Sequence, residues 1–303
     1  MDTELKKPMG LEPGSKVAVV STAGPPDTGL LERGIGKLEQ MGLEVVHRGA
    51  TRSVGYLADD DRQRAALLQE ALADPDIRAV ICSRGGYGSM RLLPHIELSR
   101  FGNPPKILVG SSDNTFLLHA YQIATGTVVF HGPMAATSSF VEQEAGPESV
   151  WRDVLFGSDD PLVIEHPDMA AYKGGKVAAP VTGGCLSLLV ASLGTPYEPD
   201  FSGRILFLED RGEPPYRIDR MLAQLRLAGK LDGIRGLILG GLDVESVDEL
   251  TTALDFALGD VSIPVVHGFP AGHGPVNTLI PMGTVIELDA DLPRVTYLER
   301  AVD

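Results

Sequence analysis

The chain of 303 residues has two cysteines, one tryptophan and few residues of positive charge. Two thiols, Cys82 and Cys185, cannot staple a small scaffold. Neither shows C-x-x-C or His/Cys ligand spacing, so both read as buried free thiols and a structural zinc is not expected. The apolar runs are far shorter than the ~20 residues of a membrane span, which makes a bilayer an unexpected partner. The opening residues MDTELKKPMG lack an apolar run of the secretory kind, so the expected compartment is the cytoplasm. With 26 Lys and Arg against 41 Asp and Glu, the formal charge of -15 repels a phosphate backbone, and nucleic acid is excluded as an expected partner. A G-x-G-x-x-G after the first apolar run is also missing. Pro25 and Pro26 remove two of the N–H donors a phosphate loop would use, which disfavours a dinucleotide site.

What is present is a hydrophobic fraction of 43% with 22% charged residues, ordinary for a globular protein, and a length that fits about two domains. The first half alternates short β-branched runs with amphipathic stretches, the pattern of a parallel sheet covered by helices. Strands are expected at Lys16 to Ser21, Leu43 to Arg48, Ala79 to Ser83, Ile107 to Gly110 and Val128 to His131. Asp59, Asp60 and Asp61 open a helix whose apolar face is Ala65, Leu67, Leu68 and Leu72. Periodicity fades between 138 and 175, where Pro147, Pro161 and Pro167 mark a linker. The fold expected is therefore α/β. A flavodoxin-like or Rossmann-like domain spans 1–137, and a second α/β domain with more mixed strands spans 176–303. In the latter, Gly183-Gly184 reads as a turn, with a helix at Leu186 to Leu193, a strand at Arg204 to Glu209 and a helix at Ile218 to Ala228. Further strands are expected near Gly236 to Gly240, Pro264 to Val266 and Thr284 to Leu288.

Ligands of open α/β sheets bind beyond the carboxyl ends of the strands, and here those ends carry Ala23-Gly24-Pro25, Arg84-Gly85-Gly86, Ser111-Ser112-Asp113 and His131-Gly132-Pro133. Ser112 sits between an apolar strand and a helix, as on a nucleophile elbow, with the Asp113 N–H placed to stabilise an oxyanion. The fifth position of G-x-S-x-G is Asn114 instead of glycine, and a plain helix cap is the competing reading. Arg84-Gly-Gly-Tyr-Gly88 offers bare backbone to a substrate, or is a phosphate or nucleotide cradle, or simply a tight turn. His273, framed by Gly272 and Gly274, reads as a general base or a surface histidine. Glu209, at the end of an apolar strand, could orient an imidazole; Asp210 and Glu213 are equally acidic, and nothing local decides among the three. Arg217, Asp219 and Arg220 read as a solvated or interface cluster.

Taken together, these segments resemble the LD-carboxypeptidase family of serine peptidases, which includes murein tetrapeptide carboxypeptidases and relatives conferring immunity to microcin C. The stretches that carry the resemblance are Gly14 to Val20 with Ala23-Gly-Pro25, Arg84 to Gly88, Gly110-Ser-Ser-Asp113, Leu206 to Asp210, Pro215 to Arg220, and Gly272-His273 with Asn277. The resemblance implies Ser112 as nucleophile, His273 as base and Glu209 as its orienting carboxylate. The N–H groups of Asp113 and Gly86 would hold the oxyanion, and Arg84, Gly85 and Tyr87 the substrate. It implies cleavage of the amide to a terminal D-amino acid of a small muropeptide, a homodimer, and no cofactor or metal. Cys185 departs from the family's more usual Asn after the paired glycines. Two other readings remain: hydrolysis of an aminoacyl-nucleotide antibiotic, with Trp151 available to stack on the base, and a non-catalytic two-lobed peptide- or sugar-binding protein.

Overall fold

The computed structural model describes residues 5–49, 53–142, 147–244, 247–259 and 261–303. The chain divides into two compact units. One is Met1–Asp159 with Pro275–Pro281 and Arg300–Asp303; the other is Asp160–Gly274 with Met282–Glu299.

In the first unit the strands are β1 (Lys16–Val20), β2 (Glu44–Arg48), β3 (Ile77–Cys82), β4 (Ile107–Gly110) and β5 (Val129–His131), and the returning segment adds β12 (Ile280–Met282). Among the described residues they form one sheet in the order β12-β5-β4-β3-β1-β2. The pairs β1/β2, β1/β3, β3/β4 and β4/β5 are parallel. The order 2-1-3-4-5 is the flavodoxin type, whose ligand crevice lies where the strand order reverses, between β1 and β3. Strands covered on both faces must be apolar throughout, and every residue of β4 and β5 is buried. The helices begin where the sequence supplies caps. Asp27 accepts a hydrogen bond from the Leu30 N–H at the start of α1 (Thr28–Gln40), and Asp60 does so from the Gln63 N–H at the start of α2 (Asp61–Ala73). Helix α3 (Thr115–Thr125) follows β4 directly and is buried along most of its length, ending at the left-handed Gly126.

The stretch 138–175 is not a linker. It carries α4 (Ser138–Val141), α5 (Pro147–Phe156), β6 (Leu162–Ile164) and β7 (Ala170–Lys173). Its prolines lie at element edges, where they are tolerated: Pro147 opens α5, Pro161 precedes β6 and Pro167 lies between β6 and β7. Buried Trp151, Val154 and Leu155 supply the helical face of α5.

The second unit continues with β8 (Lys176–Cys185), α6 (Leu186–Ser192), β9 (Ile205–Glu209), α7 (Pro215–Leu227), β10 (Gly236–Leu239), α8 (Thr251–Leu258), β11 (Val265–His267), β13 (Val285–Asp289) and β14 (Arg294–Tyr297). Its described strands lie in the order β6-β14-β13-β8-β9-β10-β11-β7. The central β8-β9-β10-β11 run is parallel, and the flanks are antiparallel. Gly183 and Gly184 lie inside β8, not in a turn. A Cβ on Gly183 would stand 1.8 Å from the Phe207 carbonyl oxygen, so the missing side chain lets β8 approach β9 closely. The core under the sheet joins Leu206 and Leu208 of β9, Leu237 and Leu239 of β10, Ile218, Leu222 and Leu225 of α7, and Leu254 of α8. Leu222→Ala leaves a cavity there and is expected to cost about 2–5 kcal/mol, read as a lower urea midpoint for the second unit. A midpoint equal to wild type would remove this cluster from the account of stability.

Candidate active site

One candidate constellation, in the first unit, is the turn from β4 into α3. Ser112 has φ +56°, a left-handed conformation that a serine rarely adopts, and a short 3-10 turn over Ser112–Asn114 leads into the helix. A neighbour must leave room for such a turn. Gly85 does so: a Cβ there would lie 2.7 Å from Ser112 Cβ and 2.8 Å from its Oγ. Asn114, the departure from G-x-S-x-G, cross-links three strand ends. Its amide nitrogen donates to the Arg84 carbonyl at 3.0 Å, and its oxygen accepts from the Thr22 hydroxyl at 2.5 Å. Gly110 makes the space for it, since a Cβ at 110 would meet Asn114 Cβ at 2.8 Å. The Arg84 guanidinium donates to the Pro25 carbonyl at 3.1 Å, and the Gly24 N–H donates to the Gly85 carbonyl at 3.1 Å. These bonds join the Ala23–Pro25 and Arg84–Gly86 turns at the reversal point of the sheet. Tyr87 is 51% exposed beside that turn, and its ring meets Tyr56 edge to face at 5.5 Å between centroids. Tyr56 carries no sequence motif of its own, which is why periodicity and spacing did not single it out.

Another candidate constellation lies beyond the carboxyl ends of β9 and β11, within the second unit. Glu209 is fully buried, and its Oε2 is 2.6 Å from His273 Nδ1. Gly272, at φ +110°, lets the loop close over the carboxylate, because a Cβ there would lie 2.6 Å from Glu209 Oε2. The neighbouring acids have other partners. Asp210 accepts from the Ser187 N–H at 2.7 Å, near the start of α6, and from the Arg211 N–H at 2.9 Å, while Glu213 pairs with Arg217 at 3.4 Å. Three equivalent candidates in the sequence are thus separated by register: only Glu209 reaches His273. Arg220, on the exposed side of α7, stacks on Tyr216. Cys185 lies opposite Glu209 across the β8/β9 ladder and donates to Asp210 at 3.5 Å. Burial pushes its thiol well above the ordinary value, as it pushes that of Cys82 up to about 12.

A cavity of about 510 Å³ opens in the second unit. Asp168, Asp243 and His267 line it together with the backbone of Gly240 and Gly241, at the ends of β10 and β11. These residues had no motif to mark them. Trp151, considered for base stacking, is instead 1% exposed and packed against Phe140, so it offers no open ring face. Among the described residues no cluster of three or more His, Cys, Asp and Glu could hold a metal ion, and no helix is long and apolar enough to cross a membrane.

Burial alone would hold the His273 pKa down. The hydrogen bond and charge of Glu209, with the charge of Asp210, outweigh it and leave the imidazole above its ordinary value. A histidine raised in the folded state contributes stability that is full below its ordinary value and lost as pH rises through the raised one. Replacing Glu209 by Gln removes the charge, so the His273 pKa should fall, followed by NMR titration of the ring Cε1–H. An unmoved midpoint would contradict the coupling.

Models of the LD-carboxypeptidase N-terminal and C-terminal domains match residues 17–132 and 178–288. A putative carboxypeptidase of Streptomyces coelicolor is 39% identical over 97% of this chain and 96% of its own length. The crystal structure of a muramoyltetrapeptide carboxypeptidase from Oxalobacter formigenes superposes with a TM-score of 0.80 at 30% identity, covering 93% of this chain and 97% of that one. The microcin C7 self-immunity protein MccF, in its wild-type apo state, shares the fold with a TM-score of 0.88 at 24% identity, over 98% of this chain and 100% of that one. The chain belongs to the LD-carboxypeptidase family.

Proposed function

We propose that the protein is a serine carboxypeptidase that hydrolyses the amide joining an L-configured centre to a terminal D-amino acid, with the D-Ala of a murein tetrapeptide as its substrate. The observation that carries this reading is the strained Ser112 turn, a hydroxyl held on left-handed backbone at a strand-to-helix junction. The pair of buried Glu209 and half-buried His273 supplies the base that such a nucleophile needs. His273 is followed within two residues by Pro275, where the chain returns to the unit that carries Ser112.

In the mechanism proposed, His273 Nε2 takes the hydroxyl proton as Ser112 Oγ bonds to the scissile carbonyl carbon. Glu209 accepts the Nδ1–H, fixing the tautomer and stabilising the imidazolium. The oxyanion is held by the N–H groups of Asp113 and Gly86. The imidazolium then protonates the leaving amine as the C–N bond breaks and the D-amino acid departs. Water attacks the ester, giving its proton to His273, and the proton returns to Ser112 Oγ as the product acid leaves. A terminal carboxylate in an acidic protein needs local donors, and Arg84 with the Gly85–Tyr87 turn is the set offered here. A homodimer in the cytoplasm belongs to the same proposal.

Ser112→Ala should fold and lose turnover by at least ~10³-fold, because nucleophile and base act as a unit. A tetrapeptide ending in free D-Ala should be shortened by one alanine, read by mass spectrometry, while its C-terminal amide should be poor. Near-normal turnover by folded Ser112→Ala, or equal kcat/KM for acid and amide, would overturn the reading.

A further inference from the structure

A chain of buried polar contacts runs from the start of α2 to the Ser112 turn. Arg64, on α2, is 0% exposed, yet its guanidinium is matched to acceptors on three separate segments. Nε donates to the Asp59 carbonyl at 3.1 Å, Nη1 donates to the carbonyls of Gly88, at 2.9 Å, and Thr22, and Nη2 donates to Asp61 Oδ1 at 2.5 Å. From the solvent side, Arg91 closes on the same Asp61 carboxylate at 2.7 Å. One residue beyond Gly88 the contacts pass to the catalytic turn. The Ser89 N–H donates to Asp113 Oδ2 at 2.7 Å, and the Ser89 hydroxyl donates to the Asp113 carbonyl at 2.6 Å, both groups being buried.

Burying a guanidinium and a carboxylate costs desolvation that their partners do little more than offset, so net stability is a poor account of such an arrangement. Its geometric effect is specific. The contacts tie Gly88-Ser89 to Asp113, and so fix the Gly85–Gly88 turn against the Ser112 turn. Those are the two backbone segments whose N–H groups, at Gly86 and Asp113, hold the oxyanion in the reading above. Gly86 and Gly88 both have positive φ, at +111° and +123°, so the turn between them has few side-chain restraints of its own. Donors that stabilise developing charge must be in place before the reaction, since reorganising them during it forfeits the gain.

We propose that Arg64 and the reciprocal Ser89–Asp113 pair are positioning residues that set the spacing of the two oxyanion donors. The proposal rests on Ser112 being the nucleophile. Its signature is a loss in the transition state with ground-state binding retained. Ser89→Ala removes one bond of the pair, Asp113→Ala removes the carboxylate, and Arg64→Lys removes the forked donors. Each should lower kcat by about 10²-fold, the scale of a small misplacement of catalytic groups, with KM within about twofold. Asp113→Asn keeps an acceptor oxygen for the Ser89 N–H and should lose less than Asp113→Ala.

The test measures kcat and KM on the D-Ala tetrapeptide alongside two affinities: for a phosphonate analogue of the tetrahedral intermediate, and for a non-cleavable peptide of the same sequence. The expected result is that phosphonate affinity falls with kcat/KM while the peptide's affinity holds. Wild-type kcat in folded Ser89→Ala and Asp113→Ala would overturn the proposal. So would parallel losses in both affinities, or a fall in kcat matched by a smaller folded fraction. Where Asp113→Ala does not fold, Ser89→Ala and Asp113→Asn carry the same test. Ser112→Ala is the control. If it stays active, the reading of Ser112 fails; if it is inactive while the clamp variants are normal, only the clamp fails.

Discussion

The structure depends on two places where a missing side chain admits a polar group. Ser112 can occupy its left-handed turn because Gly85 has no Cβ to meet it, and Glu209 can be closed off from water because Gly272 has none either. In both cases, a strand delivers a candidate residue at its carboxyl end and a glycine on another loop supplies the volume that residue needs. Each sheet provides the rest: its largely apolar parallel strands present such residues at their carboxyl ends, where α/β folds bind ligands.

The electrostatics of the Glu209–His273 pair follow from that burial. A carboxylate with no exposure needs a partner of opposite character, and His273 stands within hydrogen-bond reach at 2.6 Å. Desolvation opposes the imidazolium and the Glu209 charge favours it, and the balance leaves a histidine raised above its ordinary value. Such a group is a stronger base than an imidazole of ordinary pKa. Asp210, one residue away, has its own pKa raised by burial although two backbone N–H groups bind it; its carboxylate is bonded near the start of α6 and acts on the imidazole through its charge.

Much of the first unit was legible because parallel strands leave continuous apolar runs and helices need caps. The edges of β1, β3 and β4 and the Asp60 cap lie within two residues of expectation. The elements in 138–175 were not legible, since prolines at their boundaries imitate a linker, and Gly183-Gly184 imitates a turn where close strand approach is the cause. Among the candidate residues, position alone left Ser112 against a helix cap and His273 against a surface histidine, and it was the resemblance that set Glu209 apart from Asp210 and Glu213; the register of β9 and the partners each acid finds supply the physical distinction. Arg64 was hidden for a different reason. An arginine on an amphipathic helix reads as solvated, and only the converging carbonyls of Thr22, Asp59 and Gly88 reveal it as buried.

The central claim, that Ser112 is a nucleophile activated by the Glu209–His273 pair, is tested most directly by locating a covalent adduct. A fluorophosphonate should add one phosphonyl group per chain, and peptide mapping by mass spectrometry should place it on Ser112, with labelling slowed strongly in His273→Ala. An adduct on another residue, or labelling of Ser112 that proceeds equally fast without the imidazole, would contradict the account.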